Sequence, residues 1–163
     1  LWRAEQHICP PLFLIMKKFR TDGSIKSIYK ASIGEKVTRP LFSTKVPAGF
    51  PSPATDYTEK ELDLNERLLV HKKHTYFMEV DGYSMIGAGI FPGDLAIVDR
   101  ALEPATNNVV VALVDGEFMI KRLVIDKGEY WLTPENEEFE PLKITEEADF
   151  IIWGVVTYVI HRV

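Results

Sequence analysis

A serine and a lysine, 37 positions apart, are the residues of this chain best suited to do chemistry together. Ser84 lies in the glycine-rich stretch VDGYSMIGAGIFPGDLAIVD, residues 80–99, with no histidine close by. A serine hydroxyl is a weak nucleophile until a neighbour takes its proton. The four histidines, His7, His71, His74 and His161, hold no position that singles out a Ser-His-Asp arrangement, although such arrangements follow no fixed chain order. The other established arrangement pairs serine with lysine. In EFMIKRLVI, residues 117–125, strand alternation sets Met119, Lys121 and Leu123 on one face and Phe118, Ile120, Arg122 and Val124 on the other. Both faces are apolar around their charge, so alternation leaves open which one points inward. Chemistry separates the two cations. A guanidinium stays protonated and cannot act as a base, whereas a lysine amine desolvated by apolar neighbours can. Ser84 and Lys121 are thus the candidate nucleophile and base, although a plain turn serine and a solvated strand edge fit the same residues.

Positioning these two groups requires a sheet. TYFMEV (75–80), DLAIVD (94–99), NVVVALV (108–114), EFMIKRLVI (117–125), EYWLT (129–133), PLKI (141–144) and FIIWGVVTYVI (150–160) all read as strands. Asp115-Gly116 is a two-residue hairpin signal, and Pro92-Gly93 marks a turn. Short strands at even spacing imply a mostly β body, curled or barrel-like. TEKELDLNERLLVH (58–71) reads as a helix, capped by Thr58 with Glu61 or, if shorter, by Asp63; Leu64, Leu68 and Leu69 form its apolar stripe. KVPAGFPSPATDY (45–57) carries three prolines and should be extended and exposed. Upstream of it, residues 16–45 are polar and basic, and SIKSIYKAS offers at most a short amphipathic turn.

Composition sets the remaining bounds. The 163 residues are 46% hydrophobic and 26% charged, which suits one domain with a core and an arm. A single cysteine, Cys9, rules out an internal disulfide and fits a reducing cytoplasm. Neither a membrane span nor a bound metal or cofactor is expected; ICPPLFLIM (8–16) is too short to cross a bilayer. MKKFRTDG reads as an ordinary polar start at Met16, so residues 1–15 are expected to lie upstream of the true start. The net charge of −5 hides an asymmetry: residues 1–48 hold nine Lys/Arg against three Asp/Glu, and residues 49–163 hold ten against twenty-one. An acidic body argues against DNA binding through its own surface. The basic arm is either a solvated tail or a segment lying on the acidic body of its own or a partner subunit.

GYSMIGAGIFPGDLAIVD (82–99), VVVALVDGEFMIKRL (109–123) and LTPENEEFEPLKI (132–144) together resemble the self-cleaving LexA/UmuD family of SOS-response proteins. Its hallmark is a serine followed by methionine in a glycine bend, then a lysine on a K-R/K-L strand; here these are Ser84-Met85 and Lys121-Arg122-Leu123. The family cleaves itself between a small residue and a glycine upstream of the serine, which Ala48-Gly49 matches. UmuD of enteric bacteria has cysteine where this chain has Ala48, and both are small. GFPSPATDY is similar to UmuD more than to LexA, and the arm is too short for a helix-turn-helix head.

That resemblance implies curled antiparallel sheets of the LexA/UmuD carboxy-terminal, signal-peptidase-like type, with one short helix and an extended amino-terminal arm. It further implies a Ser-Lys serine endopeptidase whose oxyanion donors are the backbone amides of Ser84 and Met85. Residues 1–48 would be the arm removed by the cut, and residues 49–163 the peptidase and dimerisation domain. Implied partners are a second copy of the chain, the RecA filament on single-stranded DNA as activator, and a UmuC-type translesion polymerase. Three rivals are a polymerase accessory module with a vestigial dyad, a LexA-like repressor, and a peptidase that processes other chains.

Overall fold

The computed structural model describes residues 20–31, 34, 36–42 and 59–163. Eleven strands are present among them: β1 (Arg20–Thr21), β2 (Ile25–Lys30), β3 (Thr38–Phe42), β4 (Glu59–Asp63), β5 (Thr75–Val80), β6 (Leu95–Asp99), β7 (Val109–Val114), β8 (Glu117–Asp126), β9 (Glu129–Thr133), β10 (Leu142–Lys143) and β11 (Phe150–Ile160). One α-helix, α1 (Leu64–Leu68), and two single 3-10 turns complete the set. Nine strands form one sheet in the order β10-β9-β8-β7-β11-β6-β5-β2, with β1 attached to β8; β3 and β4 pair separately. Apart from the parallel β1–β8 contact, every pairing is antiparallel.

The arm explains how the sheet curls. β1 sits on β8 and β2 sits on β5, yet only Asp22, Gly23 and Ser24 separate the two strands. Three residues span roughly 10 Å at most, so β5 and β8, four places apart in the sheet order, must come round to face each other. The bulged register of β11 against both β7 and β6 supplies bending at the middle of the sheet.

Hairpin chemistry fixes the register of β7, β8 and β9. Asp115 and Gly116 both take positive φ, 49° and 84°, as a two-residue primed turn demands. Lys127-Gly128 does the same between β8 and β9, at 50° and 84°. Residue type carries no comparable cue there, because lysine is not favoured at positive φ. With the register set, alternation sends side chains to both faces. Met78, Ala96, Val98, Val111, Phe118 and Ile120 pack round Trp153 on one face. Val110, Ala112, Met119, Leu123 and Leu132 pack with Phe150 on the other.

Two expected elements differ. SIKSIYKAS is not a turn: Ile25–Lys30 is a strand on β5, with Ile25 buried and Lys26 and Ser27 both bonded to the Glu79 carboxylate. The arm is therefore not a free tail over residues 20–31; it lies on its own subunit. The helix expected over 58–71 shrinks to Leu64–Leu68, because Glu59–Asp63 pairs with β3 and tertiary pairing overrides helix propensity. Asp63 is the cap, accepting from the Asn65 amide at 2.8 Å. Glu61 lies in β4, so no Thr58–Glu61 capping box forms. Leu64 is exposed, and Leu69 carries the packing, against Ala31 and Ile97.

Leu123→Ala removes a side chain with no exposed surface and is expected to cost about 2–5 kcal/mol in urea unfolding. Ile160→Ala, at the half-exposed end of β11, should stay within about 0.5–1 kcal/mol of the parent.

Candidate active site

Ser84 follows β5 in a bend that begins at Gly82. Gly82 takes φ of +90°, which a residue with a side chain reaches only under strain. Met85 drops into the core beside Ile90 and Trp153 and anchors the bend from below. A second strap holds it from the side. The Ser84 carbonyl accepts from the Glu135 amide at 2.8 Å, and the Gly87 amide donates to the Glu135 carbonyl at 2.7 Å. Asn136 Nδ2 donates to the Tyr83 carbonyl at 3.0 Å. A methyl group at Gly87 would stand 2.5 Å from the Glu135 carbonyl oxygen, so this glycine makes room for the strap. Arg122 in turn holds Glu135 by its carboxylate and donates from Nη1 to the Asn107 carbonyl at 2.6 Å.

Lys121 comes from β8, between Met119 and Leu123 along one face of the strand and opposite Val110 of β7. It is buried, as is Ser84. Its Nζ donates to Ser84 Oγ at 3.1 Å and to Asp22 Oδ2 at 2.7 Å. The residues separated in the sequence thus meet across the curl of the sheet. The amides of Ser84 and Met85 have no acceptor among the described residues. Ala48 and Gly49, with Val46 and Pro47, lie outside the described residues. Among the described residues no cluster of His, Cys, Asp and Glu has the arrangement of a metal site.

Part of this surround is not legible in residue order. Arg122, unable to act as a base, instead fixes Glu135, which lies in the stretch LTPENEEFEPLKI. Asp22 gave no signal at all, because its partner is 99 positions away.

A model of the family described as Peptidase S24-like matches residues 40–157. The chain belongs to this family. Within it the chain is of the LexA/UmuD group. It is 44% identical to Protein ImpA of Escherichia coli over 128 residues, covering 78% of this chain and 87% of that protein. Protein SamA of Salmonella typhimurium is 46% identical over 125 residues, covering 77% and 86%. The LexA repressor of Ectopseudomonas mendocina is 36% identical over 119 residues, covering 72% and 58%. Membership of the Peptidase S24-like family makes this chain an enzyme of serine-peptidase type.

Gly87→Ala is expected to push residue 135 away from the bend and to cost about 1–3 kcal/mol. Amide hydrogen exchange at Gly87 and Glu135 should quicken together; unchanged protection at both would show that the strap is not close-packed.

Proposed function

We propose that this protein is a UmuD-like SOS mutagenesis protein that cuts its own chain between Ala48 and Gly49, with Ser84 as nucleophile and Lys121 as base. The 3.1 Å contact between the two buried side chains is the observation that carries the reading. In its uncharged form Lys121 Nζ takes the Ser84 hydroxyl proton as Oγ attacks the Ala48 carbonyl carbon. The oxyanion that forms lies against the Ser84 and Met85 amides. Collapse of this intermediate breaks the Ala48–Gly49 bond, and the ammonium returns the proton to the Gly49 nitrogen. Water then attacks the Ser84 ester, gives a proton to Lys121, and releases the acid ending at Ala48. Ser84 recovers its proton from Lys121, so nothing is consumed except one water.

Tethering the substrate gives the reaction a high effective molarity. A glycine after the scissile bond and an alanine before it demand little room. The product, residues 49–163, would form a homodimer that joins a UmuC-type translesion polymerase, and RecA on single-stranded DNA would promote the cut. These partners rest on the LexA/UmuD resemblance. The acidic character of residues 49–163 fits a basic partner surface better than it fits DNA.

Incubation of the purified chain at alkaline pH, followed by intact mass, should yield a fragment of residues 49–163, which is 115 residues long. The rate should climb as the solution is made alkaline, because an uncharged amine is the reactive form of the base. Ser84→Ala and Lys121→Ala should each slow the cut by about 10³-fold or more. A flat pH profile, or a Lys121→Ala chain that cuts at the parent rate, would overturn the reading.

A further inference from the structure

β8 is paired on one side with β7 from Glu117 to Arg122, and on the other with β9 only from Arg122 onward. The second edge of Glu117–Lys121 is therefore left over, and it leads directly to the two buried side chains. β1 takes it, running parallel, with Thr21 opposite Phe118. The Asp22 amide donates to the Phe118 carbonyl at 3.1 Å, and the Ile120 amide donates to Ser24 Oγ at 3.0 Å. On the far side the Asp81 amide donates to the Ser24 carbonyl at 2.8 Å. Gly82 lies so close that a methyl there would stand 2.7 Å from the Gly23 carbonyl oxygen. Residues 20–24 are thus built into the mouth of the site.

We propose that this segment is an internal brake: it fills the β8 edge, and its Asp22 carboxylate keeps Lys121 as an ammonium that cannot accept the Ser84 proton. The proposal rests on reading Ser84 and Lys121 as nucleophile and base. An ammonium has no lone pair, and a carboxylate at 2.7 Å stabilises that charged form. Asp22 is itself held in place, accepting from the Ser24 amide at 2.9 Å and from the Ser24 hydroxyl. Of the other carboxylates on segments packed around the pair, Asp81 accepts from the Gly82 amide and Glu135 holds Arg122, while Glu117 stands four residues along β8, in register with Arg20. When the segment withdraws, a lysine side chain only 9% exposed loses its counter-charge, and desolvation then favours the uncharged amine. One movement uncovers the edge and frees the base.

Beyond the brake the arm continues as β2 on β5, with Ile25 buried, so the movement is confined to residues 20–24. Lys26 and Ser27 bond Glu79 at 2.7 and 2.9 Å, on the surface. The Lys26 hydrogen bond, then that of Ser27, lowers the Glu79 carboxyl below its ordinary value, and Glu79 raises the Lys26 amine. The Glu79 contribution is present above the ordinary carboxyl range and fades as pH falls through the lowered value. Salt screens such an exposed pair, so it adds little to what the β2–β5 pairing already holds.

The test compares the full-length chain with Asp22→Asn and Asp22→Glu, reading both self-cleavage and labelling of Ser84 by a fluorophosphonate probe across pH. Asp22→Asn keeps the shape and removes the charge. It should raise both rates at neutral pH by about tenfold or more and move the alkaline rise to lower pH, while Asp22→Glu stays near the parent. An Asp22→Asn chain that cuts and labels at or below the parent rate overturns the brake and leaves self-cleavage standing. Faster labelling in Asp22→Asn with no cut in any chain supports the brake and overturns the cleavage reading. A Ser84 that labels in none of them, even at alkaline pH, sinks both.

Discussion

A lysine amine held in a nearly dry site between a hydroxyl and a carboxylate is the contact on which the other features converge. Lys121 Nζ lies 3.1 Å from Ser84 Oγ and 2.7 Å from Asp22 Oδ2. Burial of an unpaired ammonium is costly, so a lysine in this place must either find a counter-ion or give up its proton. Asp22 supplies that counter-ion, and the proposed withdrawal of its segment would take it away. In the proposed brake, the partner of this amine is set by whether residues 20–24 are in place.

The sheet exists in the form needed to make that choice possible. Ser84 comes from the end of β5 and Lys121 from β8, and they meet only because the sheet curls until these strands face each other. Two straps fix the serine. The buried Met85 side chain anchors it to the core, and residues 135 and 136 hold its backbone from outside. Arg122, next in sequence to Lys121, points to the opposite side of β8 and secures Glu135. Adjacent residues of one strand thus serve the two halves of the site, one supplying the amine and the other steadying the loop that carries the hydroxyl. This division follows directly from the alternation of a strand.

Much of this was legible from residue order. The strands from 75 to 160 were readable because each is short, β-branched or aromatic, and bounded by turn residues. Asp115-Gly116 gave its hairpin by backbone chemistry alone. The pairing of Ser84 with Lys121 was an expectation drawn from a serine in a glycine bend, from the one of two neighbouring cations that can act as a base, and from the LexA/UmuD resemblance. What stayed hidden depended on long-range pairing. Ile25–Lys30 looks polar and aperiodic, and it becomes a strand only because β5 offers an edge and Glu79 a partner. Glu59–Asp63 has helical propensity, and β3 overrides it. Asp22 sits in an unremarkable RTDGS stretch, and nothing local links it to a lysine near the opposite end of the chain.

Side-chain NMR of the intact chain at neutral pH tests the central contact most directly, through cross-relaxation from the Lys121 ε-methylene protons. The account predicts cross-peaks to the Ser84 β-protons and to the Asp22 β-protons in the same sample. Cross-peaks to neither, with the Lys121 methylene protons seen only against β8 neighbours, would contradict it.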